Sequence, residues 1–446
     1  MQPADVKAPP PLSSTGLIRA VGMWGLVAMC VNAVVGSGVY LLPSETFNLL
    51  GRFSLWAPLL FAIPVFILAL CFAEAASHFT EPGGAYLYTR TAFGDFIGFE
   101  TGWMNTIARV TSLAALANGF VVSLARLIPE AGEGAARTVL IILPLLVFGI
   151  IHAMGIRYGA GTIYAFTWGK ILPLIVFIIV ALIAFRHNPL PGSFSVPTGN
   201  VEWGDAALFL LFAYAGFENL GIPAGEYKNP RRDLPFALLI GILAIAAVYS
   251  LAQLAAMASL QDLGATGTPI ADAAAAIMGP AGATLITVGA IISILGTNLG
   301  TTLEGSRMIF ALGRDRKPFR LLGYVHPGTH TPVLAIAALL AVAIPVAVAG
   351  SFATLALLSA GARLTTYLFT AAAVPRLRKL NPGFVSPGGL TVPILGVLIA
   401  AYFFFGLRTE QLIALGIAIL VGAILYGLSM LAGGRVVEET PEVRED

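Results

Sequence analysis

Apolar segments long enough to cross a bilayer recur along the whole chain, separated by short stretches rich in proline, glycine and charge. A helix needs about 20 mainly apolar residues to cross the hydrocarbon core of a membrane. By this measure the sequence predicts about twelve transmembrane helices, over residues 21–42, 53–76, 92–125, 137–155, 161–185, 204–226, 234–258, 282–312, 332–349, 352–374, 391–407 and 410–432. An all-α integral membrane protein is therefore expected.

The first apolar segment is interrupted at its centre by small and polar residues. It reads VVGSGVYLLP over residues 34–43, with the triplet Gly36, Ser37 and Gly38 at mid-span. Glycine is a poor helix former, so the triplet favours an opening of the backbone. Because an open backbone in hydrocarbon leaves N–H and C=O groups unsatisfied, something polar is expected opposite the triplet.

The sixth apolar segment carries a second interruption, in LFLLFAYAGFENLGIPAGEYKNPRRDLP over residues 208–235. The two breaks lie five helices apart, and because five is odd, the second unit crosses the membrane in the opposite sense. Such a pair of interrupted segments in inverted repeats indicates a transporter's binding site at the membrane midplane. Close helix packing through small residues would explain the glycines alone, but not Glu218 and Asn219 at membrane depth.

The breaks and the loops divide the chain into five parts. These are a tail at 1–20, a first repeat of spans one to five at 21–185, a second repeat of spans six to ten at 204–374, a final pair of spans at 391–432 and a tail at 433–446. Lysine and arginine are concentrated in the loops on one side, which the positive-inside rule assigns to the cytoplasm. The protein is therefore expected in the cell membrane, with both termini on the cytoplasmic side.

Composition agrees with the hydrophobic pattern and excludes several classes of function. Of 446 residues, 57% are hydrophobic and 11% charged, whereas a soluble domain carries roughly a quarter charged residues. The net charge of +2 does not indicate a nucleic-acid partner. Cys30 and Cys71 lie inside apolar spans, and the histidines lack metal-ligand spacing, so neither a disulfide, a metal site nor a cofactor is expected. The absence of a GxxxxGK[ST] motif leaves ATP-driven transport unsupported, and no enzymatic chemistry is expected.

Four motifs together resemble the amino acid-polyamine-organocation superfamily of permeases: VVGSGVYLLP, EPGGAYLYTRTAFG, GFENLGIPAGEYKNPRRDLP and GSRMIFALGRDRKPFRLLGYVHPGTHTP. The resemblance covers roughly residues 17–380, and the last two helices carry no motif. It implies the LeuT-like five-plus-five inverted repeat with broken helices one and six. The implied activity is secondary active transport of L-amino acids by alternating access, without sodium, as proton symport or as exchange.

The resemblance also implies where an amino acid binds. Freed N–H groups at a half-helix N-terminus suit a carboxylate, and freed carbonyls at a half-helix C-terminus suit an ammonium. The carboxylate would meet Ser37 and Gly38, and the ammonium would meet the carbonyls of Val34, Phe212 and Ala215. The full set of implied substrate-binding residues is Val34, Gly36, Ser37, Gly38, Phe212, Ala215 and Gly216.

Ionisable residues at membrane depth are candidates for coupling or gating. Lys170 is either a lysine that snorkels to the interface or, as the resemblance implies, the residue that replaces sodium between the first and eighth helices. Glu218 is either a cap for freed amides or, as in the arginine/agmatine antiporter and polyamine branch, a proton-sensing carboxylate. Arg109 is expected to pair with Glu218 or Glu100, or to contact the substrate directly.

Further candidates lie on the eighth and tenth spans. Glu304 and Arg307 are spaced for an intrahelical ion pair, and Arg363 matches the superfamily without a role that the sequence defines. Phe212 is either an aromatic that packs on the substrate or a plain core residue. A small, polar wall of the side-chain pocket is expected from Thr297, Asn298, Gly300 and Thr301.

The residues leave three functions open. The first is an L-amino acid transporter, whose partners are an α-amino acid, the lipid bilayer and, if it works as a symporter, a proton. The second is an arginine or polyamine exchanger of the same superfamily. The third is a channel, against which the inverted pair of breaks argues, because ion filters are built from rings of repeated motifs.

Overall fold

The computed structural model describes residues 22–79, 83–155, 160–185, 202–220, 228–380 and 383–433. The tails expected at 1–20 and from 434 onward lie outside these ranges, as do residues 221–227 after the second break. The described chain forms fourteen α-helices: α1 Met23–Val34, α2 Gly38–Leu50, α3 Ala57–Ser77, α4 Gly84–Phe93, α5 Asp95–Ala125, α6 Gly134–Ala153, α7 Ala160–Ala184, α8 Trp203–Tyr214, α9 Pro230–Ser259, α10 Pro269–Arg314, α11 Val333–Ala349, α12 Phe352–Leu377, α13 Thr391–Phe405 and α14 Thr409–Leu431.

Every predicted apolar segment contains a helix of the structure. Eight described helices are long and apolar enough to cross a membrane, and α1 with α2 forms a bent pair that counts as a ninth candidate. The helices α8, α11 and α13 are apolar but shorter, with 12, 17 and 15 residues. The structure is therefore that of an all-helical, multi-pass membrane protein.

The first span is broken where the sequence predicts it. Helix α1 ends because Val35 is extended, with φ −71° and ψ 102°, and α2 begins after Ser37. The two pieces are bent by 54°. The two glycines of the triplet lack a side chain, so their backbone is freer and a continuous helix is less favourable at this point.

Two features of the helices were not predicted. The short helix α4 lies in a segment that the hydrophobic pattern assigns to a loop, because its 10 residues are too few to cross a membrane. Helix α10 has 46 residues and begins well before the predicted eighth span, but Gly279 within it is non-helical, with φ 68°. Pro280 follows directly and has no backbone N–H, so α10 is two helices joined at this point.

Helix α5 lies at the centre of the molecule and packs against α10, α12 and α11. Most of its residues are buried, whereas α6 and α14 expose large apolar side chains along much of their length. Exposed apolar surface of this kind suits contact with lipid rather than with water. The centre of the molecule, around α5 and the break, is where buried polar residues collect.

Candidate functional site

The two breaks are in direct contact with each other. Gly38 begins α2 against Ala213 near the end of α8, and a Cβ at Gly38 would lie 2.9 Å from the Cα of Ala213. Gly216, with φ 127°, lies against α1, and a Cβ there would lie 2.4 Å from the carbonyl oxygen of Ala33. Only glycine fits both positions, so the open backbones of the two spans form one site.

The first break offers hydrogen-bond donors that no described residue accepts. The backbone N–H groups of Gly36 and Ser37 have no acceptor in the described chain, and Gly38, as the first residue of α2, has none within its helix. The Ser37 hydroxyl is buried and also lacks a partner. By contrast, the carbonyl of Gly36 accepts from the Ser293 hydroxyl at 2.9 Å. The break is therefore rich in donors suited to an anion.

The carbonyls expected to bind an ammonium lie beside these donors, and Tyr249 of α9 contacts both spans. Its hydroxyl donates to the carbonyl of Ala213 at 2.9 Å and approaches that of Val34 at 3.5 Å. The carbonyl of Phe212 accepts from the N–H of Ala215 at 3.2 Å. Sequence reasoning missed Tyr249 and Ser293, although both are polar residues within apolar spans.

Lys170 is buried and does not reach toward an interface. Its ammonium donates to the carbonyl oxygen of Asn32 in α1 at 2.9 Å and to the Thr297 hydroxyl in α10 at 3.0 Å. The Thr297 hydroxyl also lies 3.4 Å from the carbonyl oxygen of Val35. One cation of α7 thus connects the end of the first half-helix with α10.

Glu218 lies on the 3-10 turn Phe217–Asn219 and closes the second break. Its Oε2 atom accepts from the backbone N–H of Gly216 at 2.8 Å and from the Tyr367 hydroxyl at 3.2 Å. Its Oε1 atom accepts from Arg109 at 3.4 Å and from Arg363. The carboxylate caps a freed amide and also neutralises guanidinium charge.

Arg109 pairs with a second carboxylate, Glu304 of α10. Its Nη1 atom lies 2.8 Å from Oε2 of Glu304, and its Nη2 atom lies 2.5 Å from Oδ1 of Asn219. The amide nitrogen of Asn219 also donates to Glu304, at 2.7 Å. We call Arg109, Glu218, Glu304 and Arg363 the four-charge cluster.

Two expected pairs differ in the structure. Glu100 was a candidate partner for Arg109, but its two carboxylate oxygens lie against Gly422 of α14 and have no hydrogen-bond partner in the part of the chain that the structure describes. The carboxylate of Glu304 contacts Arg109 and Asn219 instead of forming the expected pair with Arg307. The two partners of Glu304 lie on other elements, and sequence spacing within one helix does not reveal contacts between elements.

The charges of the cluster balance, with two guanidiniums and two carboxylates. Burial of a charge is unfavourable unless it is paired and hydrogen-bonded, and removal of one member of a buried pair costs about 3–5 kcal/mol. Arg363, whose role the sequence does not define, also donates to Ser112 of α5 at 2.9 Å. The cluster therefore ties α5, α10 and α12 to the turn of the second break.

The four positions expected to form a pocket wall lie along α10 in different surroundings. Thr297 contacts Lys170, and the Thr301 hydroxyl donates to the carbonyl of Thr297 at 2.9 Å. The side-chain amide of Asn298 is fully buried and has no hydrogen-bond partner among the described residues. A Cβ at Gly300 would meet open space.

Phe212 is buried near the end of α8 and packs on another aromatic ring. Its ring lies edge-on to Phe352, the first residue of α12, with 6.1 Å between the centroids. This pair connects the first half of the second broken span with α12.

No group of three or more histidine, cysteine, aspartate or glutamate residues that could hold a metal occurs in the part of the chain that the structure describes.

The all-helical fold, with its many apolar helices, is consistent with a membrane transporter. The family model described as amino acid permease matches residues 21–431, so the chain belongs to this family, within the amino acid-polyamine-organocation superfamily. This agrees with the resemblance drawn from the four sequence motifs.

Curated relatives align along most of the chain. The serine/threonine exchanger SteT of Bacillus subtilis (strain 168) is 28% identical over 94% of this chain and 97% of its own length. The branched-chain amino acid permease BcaP of the same organism is 25% identical over 92% of this chain and 93% of its own length. An uncharacterized transporter of Mycobacterium tuberculosis (strain CDC 1551 / Oshkosh) is 30% identical over 74% of each chain.

Proposed function

We propose that this permease is a sodium-independent secondary active transporter of neutral L-amino acids in the cell membrane. It works by alternating access, as a proton symporter or an amino acid exchanger, with both termini in the cytoplasm. A bundle that contains the two broken spans rocks against a scaffold, and substrate binding shifts the populations of the outward and inward states.

The observation that carries this proposal is the group of unpaired donors at the first break. The N–H groups of Gly36, Ser37 and Gly38 and the Ser37 hydroxyl converge where the dipole of α2 is positive, which suits a carboxylate. The second break contributes carbonyls of Phe212 and Ala215 for an ammonium. An α-amino acid carries both charged groups, because its ammonium and its carboxylate are bonded to the same carbon atom.

The helix inventory supports a twelve-span topology. The eight long helices, the bent pair and the three shorter apolar helices together match the twelve predicted segments. The short α8 ends at the second break, as α1 ends at the first, which fits a pair of inverted repeats. In this scheme spans one to five and six to ten form the repeats.

Sodium independence rests on Lys170. A buried ammonium that contacts both α1 and α10 supplies the charge and the hydrogen bonds that a bound cation would supply between these helices. A second cation at the same place would be repelled by the ammonium at a separation of a few ångströms.

Neutral substrates are favoured over arginine and polyamines by the state of the carboxylates. Glu218 and Glu304 already neutralise the charges of Arg109 and Arg363, so the cluster has no net negative charge to attract a cationic side chain. The relatives named as a serine/threonine exchanger and a branched-chain amino acid permease support a neutral amino acid as well.

A thermal-stabilisation screen tests the proposal directly. Purified protein is heated with each of the twenty amino acids and with common polyamines, because a ligand that binds only the folded state raises the melting temperature. We expect stabilisation by one or more neutral L-amino acids. The matched controls are the decarboxylated amine and the N-acetyl derivative of each hit, which lack one of the two charges and should not stabilise. If none of the α-amino acids raises the melting temperature, the proposed site is contradicted.

A further inference from the structure

The two carboxylates of the four-charge cluster are satisfied to different degrees. Glu218 accepts from four donors through both oxygens, and its side chain is 3% exposed. Glu304 accepts through Oε2 alone, from Arg109 and Asn219, and its side chain is 29% exposed. Within the described chain no group donates to Oε1 of Glu304, so this oxygen is open to a proton.

Protonation has different consequences at the two positions. A guanidinium stays charged in a protein, so only the carboxylates of the cluster can change their charge. A proton on Glu218 would weaken four hydrogen bonds and free the amide of the second break. A proton on Glu304 would weaken only two contacts, those with Arg109 and Asn219. It would bind to Oε1, which accepts no hydrogen bond from a described residue.

We propose that Glu304, rather than Glu218, is the residue that binds the coupling proton. The inference rests on the proposed transport function in its proton-symport form and assigns the coupling proton to one side chain. The step is a simple protonation, in which one carboxylate oxygen of Glu304 forms a bond to a proton and no other bond changes.

The charge balance of the cluster links this proton to movement. With Glu304 ionised the cluster has no net charge, and with Glu304 protonated it carries one positive charge. The only carboxylate that then pairs with Arg109 among the described residues is Glu218, at 3.4 Å, which Arg109 shares with Arg363. An unpaired buried charge is unfavourable, so protonation favours a conformation in which the turn of the second break separates from α10 and water reaches Arg109.

The surroundings of Glu304 contain other ionisable groups that bear on its proton. They are Arg109 on α5, Glu218 on the 3-10 turn, Arg363 and Tyr367 on α12, Arg307 on α10 itself, His152 on α6 near Arg307, and Lys170 on α7 two turns along α10. The one carboxylate in this set is Glu218. Glu218 is the one held by two guanidiniums and a backbone amide.

The test is the pH dependence of uptake by the full-length protein in proteoliposomes, with labelled L-serine and L-leucine as probes. Acidification outside the vesicles, at constant internal pH, should accelerate wild-type uptake, on the order of fivefold or more for a coupled site. The Glu304→Gln variant should show a flat pH profile. The control is Glu100→Gln, a buried carboxyl of α5 outside the cluster, which should keep the wild-type response.

Several outcomes would overturn the assignment. These are an unchanged pH response in Glu304→Gln, a response lost in Glu100→Gln, or a wild type that transports without any response to pH. If Glu304→Gln does not fold, Glu304→Asp keeps a titratable group in a shifted position, and its profile must move along the pH axis. A wild type that neither takes up nor is stabilised by any amino acid would instead contradict the proposed function.

Discussion

At the residue scale, the second break depends on Gly216, whose backbone and surroundings both exclude a side chain. Its φ of 127° is unfavourable for other residues, at a cost of about 1–3 kcal/mol, and a Cβ would lie 2.4 Å from the carbonyl oxygen of Ala33. We expect Gly216→Ala to lower the melting temperature and to abolish stabilisation by an amino acid. A matched control is Gly427→Ala, where a Cβ meets open space and the helix should be unaffected or slightly stabilised. Wild-type binding by Gly216→Ala would show that the breaks need not touch.

Lys170 supplies a second prediction at this scale. Its ammonium holds the carbonyl of Asn32 and the hydroxyl of Thr297, so Lys170→Ala should loosen α1 against α10 and reduce uptake by about tenfold or more. The control is Trp168→Ala, because Trp168 lies two residues earlier on the same helix and is largely exposed. Uptake in vesicles with and without sodium is the measurement. If Lys170→Ala transports like the wild type, the lysine has no part in the mechanism.

How far the sequence predicts the site differs from residue to residue. Lys170, Glu218 and Arg109 stand out because charge is rare within apolar segments, and the structure shows each of them buried. Of the two partners expected for Arg109, Glu218 is confirmed at 3.4 Å, but the second carboxylate that pairs with Arg109 was not foreseen. Glu304 lies nearly two hundred positions from Arg109 in the sequence, and only the packing of α5 against α10 brings them together.

At the scale of elements, the short helix α4 is anchored to the end of α10. Arg90 of α4 forms an ion pair with Asp315, and the Tyr86 hydroxyl donates to the same carboxylate at 2.8 Å. Burial raises the pKa of Asp315, but the hydrogen bond from Tyr86 and the charges of Arg90 and Arg314 outweigh it, so the pKa lies below its usual range. This contact joins the chain before α5 to the chain after α10, outside the membrane-spanning segments.

The lowered pKa of Asp315 gives a pH prediction with a defined sign. A carboxyl whose folded-state pKa is lowered stabilises the protein above its unfolded pKa, about 3.9, and that stabilisation is lost as the pH falls through the folded-state value. Asp315→Asn should therefore lower stability by about 1–3 kcal/mol at neutral pH, and the difference should vanish in strong acid. Thermal unfolding across pH measures this. The exposed Asp262→Asn is the control, and a difference that grows on acidification would contradict the assignment.

The elements themselves were largely predictable, and the exceptions have physical reasons. The break between α1 and α2 follows from glycine propensity, so the sequence places it correctly. The extension of α10 before Gly279 was missed because a Gly-Pro pair normally ends a helix, whereas here the chain resumes helical geometry in a new direction. Helix α4 was missed because its length and polarity are those of a loop.

At the scale of the whole molecule, the buried charges lie between the parts that separate in the proposed mechanism. The turn of the second break belongs to the proposed rocking bundle, and α5 and α10 belong to the proposed scaffold. The four-charge cluster and Lys170 both cross this boundary. Polar contacts have a defined geometry, so one set of them stabilises one conformation and a different set stabilises another. A purely apolar interface distinguishes conformations less selectively.

The measurement that tests the account most directly is counterflow in proteoliposomes that contain the purified full-length protein. Vesicles are loaded with an unlabelled amino acid that stabilises the protein, and entry of the labelled form from outside is followed. A carrier that works by alternating access should give saturable uptake that the internal amino acid stimulates, with no need for sodium. Conductance without exchange would identify a channel and would contradict the central claim that the paired breaks bind an amino acid for transport.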